Sequence, residues 1–296
     1  MQWIAAMQRA ITYMENHLLE EINYEDVAKQ VHISTYEFHR AFSFLTGMTA
    51  NTYIRNRRLS LAGREILETN GKITDIALKY GYETPESFTK AFTRFHGVAP
   101  KYVRETDAKL VLFNPLAIKI TMEGGKSMDY RITQTKQQKF LAMVRSFSNE
   151  IINDESNHDV PDFWGECNEK NLISPMLNLR PAGKRDLYGL CSPAKEGADT
   201  FEYGIGILLD SDTADFDLDE MEKAGYCIWN VKAGMYVVFD CLGEDGDCIS
   251  DTWTKFYQEF LPQMGYEAEP ETDYEIYPEH GREGLFCELW IPIRKK

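Results

Sequence analysis

The chain has 296 residues, of which 43% are hydrophobic and 27% charged, and its formal charge is −15. This length allows two domains with separate cores, and the composition excludes a disordered or fibrous chain. No apolar run approaches the ~20 residues of a membrane span, and Met1-Gln2-Trp3-Ile4 does not open a signal peptide, so the sequence reads as cytoplasmic with no membrane partner.

Residues 24–45 read as a pair of short helices. Val27, Ala28 and Val31 form the apolar stripe of the first, and a turn covers His32–Ser34, with Ser34 as the N-cap of the second. The second runs Thr35–Leu45 and packs Phe38, Phe42 and Leu45 inward, which leaves Tyr36, His39, Arg40 and Ser43 to face outward before Gly47 ends it. A long helix follows, about Ala50–Thr69, with Ile54, Leu59, Ala62, Ile66 and Leu67 on its buried side. The two-helix pattern then recurs. A helix carrying Ile73, Ile76 and Ala77 stops at Gly81, where the missing Cβ eases a left-handed C-cap. Thr84 offers an N-cap oxygen and Pro85 a preset first turn to a helix with Phe88, Phe92 and Phe95 on its core face. Ser87, Thr89, Lys90 and Arg94 lie on the other face. Each pair, with a polar and basic outer face on its second helix, describes a helix-turn-helix, and the long connector would hold two reading helices at a fixed separation.

Charge is distributed unevenly. Residues 1–108 hold 13 Lys/Arg and 13 Asp/Glu, whereas the remainder hold 19 and 34. Within residues 35–104 the count is 11 basic against 6 acidic, and several acids of this domain (Glu15, Glu20, Glu21, Glu25, Asp26) precede that stretch. A neutral reader with a basic face fits phosphate contacts, and the acidic remainder would be kept off DNA.

The signature Phe38-x-Arg40-x-Phe42, Gly47, Tyr53-Ile54, Arg58-Leu59, Ala62, Leu67, Ile73-x-x-Ile76-Ala77, Gly81-Tyr82, Phe88, Phe92, Gly97, Pro100, Tyr102, Arg104 resembles the AraC/XylS-family DNA-binding domain. The resemblance covers residues 1–106. It implies an all-α double helix-turn-helix domain that places two recognition helices in successive major-groove segments of promoter DNA. Arg40 occupies a slot used there for base or phosphate contact, and bidentate readout of guanine is the commonest specific use of arginine. Tyr36, His39 and Ser43 stand beside it. In the second unit Ser87, Thr89, Lys90 and Arg94 fill contacting positions. Glu86 either accepts from a cytosine amino group or only favours its helix N-terminus, so this helix carries less sequence information.

Leu110–Met122 holds short extended pieces closed by Gly124-Gly125, and residues 107–127 read as a connecting arm, too apolar for a free linker, packed on one domain. From residue 128 to 296 an order appears twice. Strands at Tyr130–Thr133 and Lys139–Phe147 lead to a helix at Val160–Asn171 and strands at Asp186–Cys191 and Glu202–Leu209. Strands at Tyr226–Val231 and Gly234–Asp240 lead to a helix at Cys248–Met264 and strands at Tyr274–Tyr277 and Leu285–Ile293. This predicts an α+β domain of two pseudo-symmetric strand-helix-strand-strand repeats. Trp253, Phe256–Pro262, Gly265-Tyr266, Tyr274–Tyr277 and Glu288–Ile293 resemble the GyrI-like effector-binding domain, and the whole chain resembles the Rob-like architecture of bacterial transcription regulators. The resemblance implies a cleft between the repeats for a small, lipophilic or cationic effector, with an acidic residue at Glu275.

Flat aromatic walls around one carboxylate attract organic cations. The candidates are Glu275 with Trp164, Tyr188, Tyr203, Tyr257, Tyr277 and Trp290, and Glu288 is a weaker second acid. Strand alternation puts Glu275 opposite Tyr274 and Ile276, which predicts that it faces the concave side. The plain alternatives are a solvated strand glutamate and aromatics that only fill the core. The six cysteines show neither C-x-x-C nor a His at ligand spacing and read as free thiols, with Cys241 and Cys248 a less favoured redox pair; no metal or cofactor is expected. No G-x-S-x-G, H-E-x-x-H or Walker loop is present, so a non-enzymatic regulator is expected, with promoter DNA, an effector and, as a candidate, RNA polymerase as partners. The rival reading is a GyrI-like hydrolase or drug-sequestering domain fused to a DNA reader, with Glu275 as general base. A third is a plain interaction surface.

Overall fold

A computed structural model describes residues 2–105, 109–118, 128–149, 159–193 and 200–296. Two compact units divide the chain: Met1–Thr35 with Met48–Thr121, and Tyr36–Gly47 with Met122–Lys296. The division does not follow the sequence domains, because almost all of the helix at Thr35–Thr46 falls in the second unit.

In the first unit lie α1 (Gln2–Asn16) and α2 (Tyr24–Lys29). With the helix Thr35–Thr46 numbered α3, the same unit continues with α4 (Ala50–Glu68), α5 (Ile73–Lys79) and α6 (Pro85–His96). The turn between α5 and α6 follows the local chemistry expected of it. Gly81 takes φ 82°, the Thr84 side chain accepts from the Ser87 amide, and Pro85 opens α6. Leu59, Ala62, Ile66, Ile76, Ala77, Phe88 and Phe92 form one core, whereas Leu67, expected on the buried side of α4, is 54% exposed. The arm docks on this unit as an unpaired extended segment. The Phe113 amide donates to Ser60 Oγ (3.0 Å), the Leu116 amide to the Tyr53 hydroxyl (3.2 Å) and the Val111 amide to His96 Nδ1 (3.1 Å). His96 Nε2 sits 3.0 Å from the Leu59 carbonyl, which fixes the tautomer, and burial lowers the pKa of the ring. Gly124 and Gly125 lie outside the described residues.

The second unit is an antiparallel sheet with helices. Its strands are β1 (Arg131–Thr135), β2 (Gln138–Ser148), β3 (Leu187–Pro193), β4 (Thr200–Leu209) and β5 (Tyr226–Val231). They continue with β6 (Gly234–Leu242), β7 (Tyr266–Ala268), β8 (Asp273–Tyr277) and β9 (Leu285–Lys295). The order is β1-β6-β9-β8-β3-β4-β2-β5, with β7 added on β9. Read from either edge, the sequence of equivalent strands is the same, and the pseudo-twofold axis passes between β3 and β8. The two repeats are therefore present, but each exchanges its opening strand: β1 pairs with β6 and β5 with β2.

That exchange bends the sheet. β1 and β2 are joined by Lys136 and Gln137 alone, yet stand six places apart. A flat sheet would separate them by roughly 29 Å at the usual strand spacing. Three peptide steps reach about 11 Å. The sheet must curl until its ends approach, and large side chains converge on the inner face. Phe140, Tyr188, Trp229, Tyr236 and Tyr274 are buried there together, with Trp290 partly buried against them. The outer face carries the helices α7 (Asp159–Glu169), α8 (Ile173–Leu177), α9 (Leu218–Lys223) and α10 (Asp247–Lys255). α10 runs on through a π-helical segment, Phe256–Phe260, into α11 (Leu261–Gln263). Pro262 explains the widening, since it lacks an N–H and would crowd the carbonyl four residues back; the Leu261 amide bonds instead to Phe256 O. No helix among the described residues is long and apolar enough to cross a membrane.

Tight strand contact makes one glycine diagnostic. A Cβ on Gly206 would lie 2.5 Å from the Leu141 carbonyl oxygen and 2.8 Å from Ala142 Cβ, neither of which can swing away. Gly206→Ala is expected to cost about 1–3 kcal/mol of stability through overpacking. Urea denaturation of the two proteins measures it, and an unchanged midpoint would contradict this packing.

Candidate functional site

The site on the second unit begins with strand alternation. Asp273, Glu275 and Tyr277 occupy every other position of β8 and share a face. Register sets Cys191 opposite Asp273 and Gly189 opposite Glu275. Tyr274 and Ile276 point into the curl, so Glu275 faces the outer, helix-covered side. This corrects the expectation of the concave side. The alternation argument holds, but which face is concave follows from strand exchange, which local sequence does not show.

Glu275 is half-buried beneath aromatics. The Tyr203 hydroxyl donates to its Oε2 at 2.8 Å and the Tyr277 hydroxyl at 3.0 Å. Trp164 of α7 donates its Nε1–H to the Tyr203 oxygen (3.0 Å), and its ring stands edge-on to Tyr277 at 5.2 Å. Gly189 leaves the room: a Cβ there would collide with the Tyr203 hydroxyl and the Glu275 carboxylate. Burial pushes the Glu275 pKa up to about 7 against the pull of the two hydroxyls, and the neighbouring Asp273 charge adds to the rise. The result is a polarised carboxylate framed by rings, suited to pairing with a cation.

Four of the seven proposed effector residues thus come together: Trp164, Tyr203, Glu275 and Tyr277. Tyr188 and Trp290 do not join them. They share the inner face with Tyr274, whose ring is 6.3 Å from Tyr188 and 5.4 Å from Trp290. Glu288 is also on that face, paired with Arg131 at 2.6 Å. Tyr257 follows α10 and stacks near Trp253 and Phe44 (ring centres 5.9 and 6.4 Å). The six cysteines are free; Cys241 stands directly opposite Cys287 in the sheet, and Cys248 lies on α10. Among the described residues no cluster could hold a metal ion.

Sequence reading missed Asp273 and its pairing with Arg40. The Arg40 guanidinium of α3 makes a bidentate ion pair with Asp273, one arm at 2.9 Å, and donates to the Tyr36 hydroxyl at 2.7 Å. Its Cζ lies 3.6 Å from the centre of the Trp253 ring. Tyr36 reaches Cys191 Sγ (3.0 Å) and packs in the cluster of Phe147, Phe163 and Phe201, while Phe44 stacks on Trp253. Burial opposes the charge on Arg40, but Asp273 and Tyr36 more than offset it and its pKa is raised; burial likewise raises that of Asp273, with Arg40 pulling the other way. Tyr36, His39, Arg40 and Ser43, expected outward, are 6%, 2%, 8% and 1% exposed. For Arg40 the reason is plain: its outer face meets a carboxylate and an indole of the sheet domain. The available signal was the period of two, which sets Asp273 on the face of Glu275.

The second reading helix behaves differently. Glu86, Ser87, Thr89, Lys90 and Arg94 are exposed on α6, and Glu86, Thr89, Lys90 and Arg94 border a shallow open depression with Pro85 and Thr93. The hydroxyls of Ser87 and Thr89 donate to helix carbonyls at 2.8 and 2.7 Å. Neither Lys90 nor Arg94 is ion-paired among the described residues, so both charges stand open.

Residues 27–106 match the family described as helix-turn-helix domain. With the sheet domain behind it, this defines an AraC-type helix-turn-helix, DNA-binding regulator of transcription with a C-terminal effector-binding domain. Residues 131–293 match the family described as integron-associated effector binding protein, and the chain belongs to that family. It is similar to the right origin-binding protein of Escherichia coli (strain K12), 24% identical over 302 residues and 96% of each chain. It is similar to the HTH-type transcriptional activator AarP of Providencia stuartii, 32% identical over 108 residues, 36% of this chain and 80% of that one. The HTH-type transcriptional regulator YbfP of Bacillus subtilis (strain 168) is 39% identical over 100 residues, and this match spans 34% of either chain.

The raised pKa has a consequence for stability. Between the ordinary 4.5 and about 7 the folded state holds a proton on Glu275 that the unfolded chain has released, so this group's contribution falls as pH rises through that window. Glu275→Gln removes the titration. Relative to wild type, the variant is expected to gain stability between about pH 5 and pH 7 in urea titrations, and a constant difference would contradict a raised pKa.

Proposed function

We propose that the effector-binding domain takes a small lipophilic cation on Glu275, between Trp164, Tyr203 and Tyr277, and that both reading helices contact promoter DNA. The observation that carries the effector class is the half-buried Glu275 carboxylate held by two tyrosine hydroxyls. Tyr36, His39, Arg40 and Ser43, which are buried in this structure and would have to be uncovered first, are assigned to the first half of the DNA site, and the exposed Glu86, Ser87, Thr89, Lys90 and Arg94 to the second. The open charges of Lys90 and Arg94 suit phosphate, whereas an arginine is suited to a guanine edge. The protein acts in the cytoplasm, with RNA polymerase as its partner at the promoter. It binds its effector without turnover, in keeping with relatives named as a transcriptional regulator and a transcriptional activator. A glutamate titrating near 7 also suits a general base, which favours hydrolysis as the second reading.

Calorimetry with tetraphenylphosphonium and the neutral triphenylphosphine oxide tests the assignment. Glu275→Gln is expected to weaken the cation by about 1.5–3 kcal/mol, tenfold or more, and to leave the neutral compound nearly unchanged. Equal cation affinity in both proteins would remove Glu275 as counter-ion. Mass spectrometry of an ester-bearing cation after incubation separates the second reading: recovered intact it supports a sensor, hydrolysed it supports an enzyme.

The outer face of α6 gives a separate expectation. Lys90→Ala should weaken all duplexes alike and lower the slope of log affinity against log salt by about one. Filter binding across a salt series reads both, and a change in sequence preference would instead make Lys90 a base-reading residue.

A further inference from the structure

We infer that Asp273, Trp253 and Tyr36 form a second cation subsite, built for a planar guanidinium or amidinium and filled in this structure by Arg40 of the chain's own reading helix. The subsite lies beside the Glu275 site on the same face of β8 and is distinct from it in every partner named.

The geometry is that of a ligand in a pocket. Asp273 presents both carboxylate oxygens to the two terminal nitrogens of Arg40, the fork-to-fork pairing that a guanidinium makes and an ammonium cannot. The Trp253 ring covers the flat face of the cation at 3.6 Å. The Tyr36 hydroxyl takes one further N–H at 2.7 Å. Asp273 is 3% exposed and Arg40 8%, so the pair is withdrawn from water on both sides. A carboxylate this deeply placed is costly without a partner, and any cation that fits its plane will be held.

Arg40 has a second claim on it. On α3 it sits among the residues assigned above to DNA, yet α3 is clustered with the sheet domain and its Phe44 stacks on Trp253. One guanidinium cannot pair with Asp273 and with a base or phosphate at once. An amidinium ligand that displaces Arg40 therefore frees its guanidinium for DNA, and DNA that captures Arg40 empties the subsite, with equal coupling in both directions. Asp273 makes the occupied state the default. This linkage to DNA rests on the reading of α3 as a DNA-contacting helix, whereas the subsite itself does not.

Benzamidine is the probe, because it is flat, singly charged and forks like Arg40. In full-length protein, Arg40→Ala removes the resident cation, and benzamidine is expected to bind it about tenfold or more tightly than wild type by calorimetry and to raise its melting temperature selectively. Arg40→Ala with Glu275→Gln should retain this binding, and Arg40→Ala with Asp273→Asn should lose it. Equal affinity for wild type and Arg40→Ala, or binding that survives loss of Asp273, would overturn the subsite. Asp273→Asn in an otherwise wild-type chain is close to isosteric and provides a second arm should Arg40→Ala fail to fold. On a duplex selected from a random-sequence pool it is expected to bind about tenfold or more tightly than wild type and to be insensitive to benzamidine, which should strengthen wild type. Identical affinities of wild type and Asp273→Asn would overturn the coupling. If neither protein binds DNA in a salt-sensitive way, the DNA reading fails while the benzamidine comparison still decides the subsite.

Discussion

Two connections of two residues each, Lys136-Gln137 and Lys232-Ala233, constrain everything in the second unit. Each joins a strand at one end of the sheet to a strand near the other, and neither makes a hairpin. The sheet closes on itself because the covalent chain is too short for it to do otherwise. Closure turns one face into an interior dense with aromatic rings, where Tyr236 donates to the Thr272 carbonyl and Trp229 to the Thr272 hydroxyl (3.0 and 3.3 Å). Those bonds tie the residues just before β8 to both ends of the curl and fix where β8 begins. The side chains of Asp273, Glu275 and Tyr277 then have a single direction left, outward beneath the helices.

Two carboxylates two residues apart on one buried face repel, and the fold answers each in a different way. Asp273 is neutralised by a guanidinium in bidentate geometry. Glu275 has no cation in hydrogen-bonding reach among the described residues and is held by hydroxyls, so burial raises its pKa to about 7. One group is paired and the other is poised. The difference follows from position: Asp273 faces α3 and α10, whereas Glu275 faces α7, which offers a tryptophan and no base.

Helix α3 is amphipathic with both faces in use. Phe38 and Phe42 are fully buried, as periodicity requires, and the polar face is buried too. α6 has the same apolar spacing, with Phe88 and Phe92 buried, but its polar face is open. The two reading helices of one sequence repeat therefore differ in environment rather than in pattern. The sheet domain makes that difference: it supplies Trp253, Asp273 and Cys191 to α3.

What the sequence determined by itself was local. Helix spacing, the Gly81 and Thr84 caps, the connector helix and the twofold order of strands and helices depend on residues close together in the chain, and these are legible in it. So were the family of the reader and of the effector domain, and the alternation that sets Glu275 opposite Tyr274. The tertiary structure decided three things. It exchanged β1 and β5 between the repeats, which sent Tyr188 and Trp290 to the inside of the curl and Glu275 to the outside. It assembled the Glu275 cluster from strands β3, β4 and β8 and helix α7, which lie far apart in sequence. It joined Arg40 to Asp273 across 233 positions. Nothing in the spacing of either residue predicts the other, because an ion pair depends on distance in space, and here that distance is set by the closure of the sheet and by the helix that lies on it.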